Sequence, residues 1–139
     1  MTTFFHGTSK MNNIEKMTSV GQVIYGDHWQ SPLSRAMGIS SRTIRNFISG
    51  ETAIPVNLSG RLLAAAEVEM EKIQAAIEII NSDKMCGDDV TIEMIADIAD
   101  RYEYADEQDR KNATDAMNNE VYEVTYLSDL DAIARKFAR

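Results

Sequence analysis

Apolar residues recur at three- and four-residue steps along most of this chain, and the breaks between runs fall at glycine, proline or clusters of turn formers. Residues 1–13, MTTFFHGTSKMNN, hold no sustained period and read as a flexible arm, with Phe4 and Phe5 as its apolar points. Ile14, Met17, Val20 or Gly21, and Val23 to Ile24 then fit a helix that stops near Gly26, where glycine accepts a left-handed ending. A second, short helix runs to about Met37 with Leu33, Ala36 and Met37 inward. It starts either at Asp27, three residues before Gln30 in the capping-box spacing, or at Ser31 with Pro32 in the first turn. Gly38-Ile39-Ser40 breaks it, with glycine for a tight turn, Ile39 for the corner and a Ser40 hydroxyl able to cap the next helix. That helix spans Ser41 to Ser49, with Ile44, Phe47 and Ile48 inward and Gly50 at its end.

Beyond the connector Glu51 to Val56, the longest periodic segment runs from about Asn57 to Asn81. Leu63, Ala66, Met70, Ile73, Ile77 and Ile80 step alternately by three and four, a heptad seam of roughly two and a half repeats. The polar stretch Asn81 to Asp89 reads as a loop. Ile92, Ile95, Ile98 or Ala99 and Tyr102 mark another helical face, and Ala105 to Asn119 a weakly apolar helix with Ala113, Ala116 and Met117 inward. Val121 to Tyr126 has strand propensity and fits either a short strand or the start of a helix. Ser128 and Asp131, in capping-box spacing, open a last helix with Leu130, Ile133, Ala134 and Phe137 inward. The expected fold is mainly α: an N-terminal helix-turn-helix bundle, a long connecting helix, and a helical C-terminal half with at most one short strand. The domains expected are the arm 1–13, a helix-turn-helix domain with its long helix at 14–82, and an acidic helical region at 83–139.

Charge changes this picture only when it is divided. The 139 residues carry 14 Lys and Arg against 22 Asp and Glu, a net charge of -8 that argues against nucleic acid and membrane surfaces. Residues 1–61, however, hold six bases and three acids, or +3, and the remainder is -11. Between His28 and Gly50 stand three arginines and no acid. A short segment suited to an anion is joined to a long one suited to be kept from it. The longest apolar run, Leu62 to Ala66, is far too short to span a bilayer. The one cysteine, Cys86, has no internal disulfide partner, and with no leader in the opening residues the cytoplasm is the expected compartment.

The informative stretch is WQSPLSRAMGISSRTIRNFISG, Trp29 to Gly50. Two short helices joined by a glycine-containing turn form a helix-turn-helix, whose second helix can lie in the DNA major groove. The segment resembles the lambda-repressor-like, or Xre-type, helix-turn-helix of bacterial and phage regulators. Gln30 at the first helix start, Leu33 within it, Gly38 and Ile39 in the turn, Ile44 and Phe47 toward the core, and Gly50 at the end carry the likeness. Ser34 stands where that pattern has alanine, and Pro32 is a further departure. The likeness covers about 40 residues and stops before the C-terminal half. It implies that the second helix reads duplex DNA. Arginine donates two bonds to guanine and asparagine pairs with adenine, so Ser41, Arg42, Thr43, Arg45 and Asn46 are the candidate base contacts. Gln30, Ser40 and Ser49 are the candidate phosphate contacts.

Other chemistry finds little support. His6, His28 and Cys86 have no metal-ligand spacing, the acids spread around helices instead of converging, and no nucleophile motif or phosphate-binding glycine loop occurs. No catalytic residue, metal or cofactor is expected, and the chain is not expected to be an enzyme. The expected function is sequence-specific binding of a double-stranded DNA operator by a homodimeric regulator, most simply a repressor. Leu63, Met70, Ile73, Ile77 and Ile80 form the candidate dimer seam; the competing expectation is that they pack on helices of their own chain. The alternative function is an antitoxin-like or inhibitory module whose residues 83–139 bind a basic protein.

Overall fold

The computed structural model describes residues 11–139; Phe4, Phe5 and His6 lie outside the described residues. The protein is mainly helical, with a single two-stranded antiparallel sheet among the described residues. It divides into two compact units, one through Gln74 and one spanning Ala75–Arg139. The division falls inside the long helix, whereas the expected domain boundary, 82/83, lay just after it.

In the N-terminal unit, α1 (Asn13–Tyr25) begins where the Asn12 side chain accepts the Glu15 N–H at 2.8 Å. It ends at Gly26, which has φ 81° but an extended ψ rather than the left-handed helical ending expected. Helix α2 (Gln30–Met37) adopts neither predicted start. Asp27 is too early and Ser31 too late, because Trp29 holds the N-terminal position with its indole sunk into the core. Pro32 is then the third helical residue, where no intrahelical N–H is required, and it breaks nothing. Helix α3 (Ser41–Ser49) has the predicted bounds, and α4 (Leu58–Ile80) comes within a residue of them at each end. Met17, Trp29, Leu33, Ile44, Phe47, Leu58, Leu62 and Ala65 form one buried cluster contributed by α1 through α4. Ile48, expected inward, is 39% exposed, because the α3 face turned to this cluster is only wide enough for Ile44 and Phe47.

Trp29 is the side chain that ties α1 to the start of α2. Gly21 on α1 lies against it, and a Cβ at Gly21 would stand 2.6 Å from the indole Cδ2. Glycine is required there by a close approach rather than by a turn.

The C-terminal unit contains strands β1 (Lys84–Cys86) and β2 (Val124–Tyr126), paired in the register Lys84 to Tyr126, Met85 to Thr125 and Cys86 to Val124. The stretch Asn81 to Asp89, expected as a loop, thus holds a strand between two short 3-10 turns. Helices α5 (Ile92–Ala99), α6 (Glu107–Asn119) and α7 (Leu127–Phe137) enclose Ile95, Ile98, Ala99, Met117, Leu130 and Ala134. The expected capping box of Ser128 and Asp131 does not form. The α7 start lacks a local side-chain cap, and the Asp83 carboxylate, 45 residues away in sequence, accepts the Ser128 N–H at 2.6 Å. Thr125, buried in β2, exchanges bonds with the backbone N–H and carbonyl of Tyr122, leaving its hydroxyl satisfied.

Asp131 instead accepts the Tyr102 hydroxyl at 2.6 Å and the Arg101 guanidinium at 2.9 Å. The Tyr102 bond, followed by Arg101, holds its carboxyl below the ordinary value of 3.8. A carboxyl with a depressed folded-state pKa contributes stability that is present above its unfolded value and is lost as pH falls through the folded one. Tyr102→Phe removes the leading cause, so the Asp131 carboxyl is expected to titrate at higher pH in that variant, and the C-terminal unit to lose structure at a higher pH on acidification. A carboxyl-carbon NMR titration alongside far-UV circular dichroism measures both; coincident acid transitions in wild type and variant would show that Asp131 has no part in acid stability.

Candidate nucleic-acid interface

Local sequence sets the helix-turn-helix. At the end of α2, Gly38 takes the left-handed conformation, φ 71° and ψ 26°, and its N–H bonds to the α2 carbonyls. The Ile39 N–H reaches the Ser34 carbonyl at 2.9 Å, and the Ile39 side chain packs against the core, so the corner is fixed by both backbone and burial. Ser34, the residue where alanine was expected, is buried, and its hydroxyl donates to the Ser31 carbonyl at 2.6 Å. The extra oxygen is therefore paired within the helix and leaves the α2–α3 contact intact.

Ser40 then starts α3. Its hydroxyl oxygen accepts the Thr43 N–H at 3.1 Å and lies 2.9 Å from the Thr43 hydroxyl. Gly50, with φ 86°, closes the helix in the left-handed form. Of the candidate base-contact residues, Arg42 and Arg45 are exposed, and Ser41, Thr43 and Asn46 are partly exposed. Among the described residues, neither arginine makes a side-chain hydrogen bond or ion pair. Arg35 on α2, by contrast, donates to the Ser31 hydroxyl at 3.1 Å, and Lys16 donates to the Ser59 hydroxyl at 3.0 Å. Two uncommitted guanidiniums thus stand on the solvent side of α3, the side opposite Ile44 and Phe47.

The candidate phosphate contacts divide differently. Gln30 sits in the first turn of α2, and Ser40 precedes α3, so both lie at the positive ends of helices, which favour anions. Ser49 lies at the other end of α3, where its hydroxyl donates to the Asn46 carbonyl at 3.2 Å. It is not brought together with Gln30 and Ser40 at a helix start. The α2 start has no side-chain cap, so its leading N–H groups remain open to an outside acceptor.

An open depression joins the two helix starts, lined by Asp27, His28, Gln30, Ser31, Ser41 and Arg45. It brings together Gln30, Ser41 and Arg45 from the predicted set. It also adds Asp27, an acid that lies in sequence just outside the arginine-bearing stretch. Asp27 and Arg45 line the same depression, so this face is less positive than the run from His28 to Gly50 suggested. No protein family, no curated protein and no solved structure matches the chain.

Proposed function

We propose that this protein binds a specific site in double-stranded DNA as a regulator, with α3 in the major groove and operator occupancy as its means of repression. The observation that carries the proposal is the pair Arg42 and Arg45, exposed and uncommitted on a helix that is capped at both ends and anchored by Ile44 and Phe47. A rigid helix of nine residues with two forked donors and Asn46 on its outer side has the shape and chemistry that base edges require. The uncapped start of α2 and the Ser40 end of α3 supply anion-binding backbone that would set the register on the phosphates.

One reading head makes few phosphate contacts, so the proposed active form is a homodimer with two recognition helices about 34 Å apart on one face of the duplex. Selection from a random duplex pool, followed by titration of the enriched fragment, tests the proposal. A defined sequence is expected to emerge, and its binding is expected to weaken linearly in log–log form with salt, with a slope near about −0.9 per phosphate neutralised. A pool that stays random after selection sinks the proposal.

A second reading concerns the other half of the chain. Residues 75–139 hold seven bases and 16 acids, and only Asp100, Asp115 and Asp131 among those acids form ion pairs among the described residues. That acidity suits a basic protein partner bound through residues 83–139, and a chain acting in this antitoxin-like way would keep its DNA module free to control its own operon.

A further inference from the structure

The first turns of α4 are accounted for by its own unit: Leu58, Leu62 and Ala65 step by four and three into the N-terminal core. A different face carries the heptad seam, and the structure leaves it in solvent. Leu63, Met70, Ile73, Ile77 and Ile80 are between 42% and 68% exposed. Every residue from Glu71 to Ile80 is exposed. An isolated helical stretch of that length is marginal in water, and an apolar stripe of five large side chains is more than single scattered surface residues.

We infer that the seam is covered by α4 of a second copy of this chain, packed knobs-into-holes through Leu63, Met70, Ile73, Ile77 and Ile80. Two features select that occupant. The spacing of alternating three and four residues matches the groove of another helix of the same period, and a second α4 has that period by identity. The flanking charges also permit it. With the seam at a and d, Glu67 and Glu69 occupy e and g positions. Against a parallel copy Glu67 faces Leu62 and Glu69 faces Gln74; against an antiparallel one they face Gln74 and Ala76. No like charges meet in either direction. A basic partner helix would have less to hold, because Glu69 is already engaged by the Tyr25 hydroxyl and Lys72, each at 3.1 Å. The inference stands on α4 alone and does not depend on DNA binding.

Sedimentation velocity of the full chain across micromolar concentrations tests it. The expected mass is twice the 15.6 kDa of one chain, falling to a single chain for Ile73→Glu with Ile77→Glu and staying doubled for Ile73→Leu with Ile77→Leu. Both positions are already exposed in the single chain, so the emission of Trp29 in the N-terminal core is expected to stay unchanged in the Glu variant. If that emission moves, Ile80→Glu, in the last turn of α4, decides in the same way. A wild-type chain that remains monomeric, or a Glu variant that retains the doubled mass, overturns the inference.

Discussion

Arg42→Ala combined with Arg45→Ala is expected to abolish the preference for the selected DNA site while leaving the protein as stable as wild type. A well-placed bidentate arginine contact discriminates by about 1–3 kcal/mol, so losing two weakens specific binding by roughly 30-fold at the least. Both side chains are exposed, and neither is committed to a partner among the described residues. Their removal should therefore cost no more than about 0.5 kcal/mol in stability. The form of the loss identifies the contact. If the arginines read bases, the selected site loses affinity and random duplex loses little. If they sit on phosphates, binding falls on all sequences and the salt slope drops by about one per arginine. Asp27→Asn in the same assay removes the carboxylate from the depression beside Arg45 and is expected to strengthen binding to every duplex. Titration of the double variant against selected and scrambled duplexes, with thermal melts in parallel, gives each result; equal affinity of variant and wild type for the selected site would end the recognition-helix assignment.

The parts of this fold legible in the sequence are those whose cause is local. Helix α3 has its predicted bounds because Ser40, Gly50 and the Ile44–Phe47 pair lie within the helix or beside it. The mainly helical class came from periodicity in the same way. What was not legible depends on distant partners. The start of α2 was contested by two local signals, Asp27 with Gln30 and Ser31 with Pro32, and was decided by Trp29 packing under α1. Lys84-Met85-Cys86 has no alternation to mark a strand, and its pairing partner lies about 40 residues on. Helix α7 starts where Asp83 supplies the acceptor, far outside the three-residue reach of a local cap. The candidate interface shows the same division: Arg42 and Arg45 were visible from helix spacing, whereas Asp27 comes to share a depression with Arg45 only once the turn before α2 is folded. The α4 seam was visible as a period, and its five large side chains are exposed.

Gly21→Ala is expected to be the most damaging single small substitution in the N-terminal unit. The added methyl would meet the Trp29 ring at Cδ2 from 2.6 Å, well inside van der Waals contact, and the ring is itself buried with Met17 and Leu33 beside it in the core cluster. Neither neighbour is the loose end of a flexible side chain, so α1 must shift or the indole must leave its site. Overpacking of this kind costs about 1–3 kcal/mol, which for a unit of this size lowers the melting temperature by roughly 5–20 °C. Helix propensity pulls the other way, since alanine in a helix interior is favoured over glycine by about 1 kcal/mol. The clash with a buried ring outweighs that gain, so the net effect is a loss somewhat smaller than the overpacking cost alone. Because Trp29 is the chain's single tryptophan, its fluorescence reports the site directly, and a red shift is expected to accompany the loss of stability. Trp29 also precedes the first residue of α2, so the displaced ring would disturb the uncapped α2 start and, through it, the alignment of α2 with α3. DNA affinity should then fall although no proposed contact has been changed. Gly26→Ala is the useful comparison: it has open space around it and a positive φ, so its cost is backbone strain without movement of the indole. A Gly21→Ala protein with unshifted emission and wild-type melting would show that the ring yields freely and that the close approach of α1 to Trp29 does not set the geometry of the helix-turn-helix.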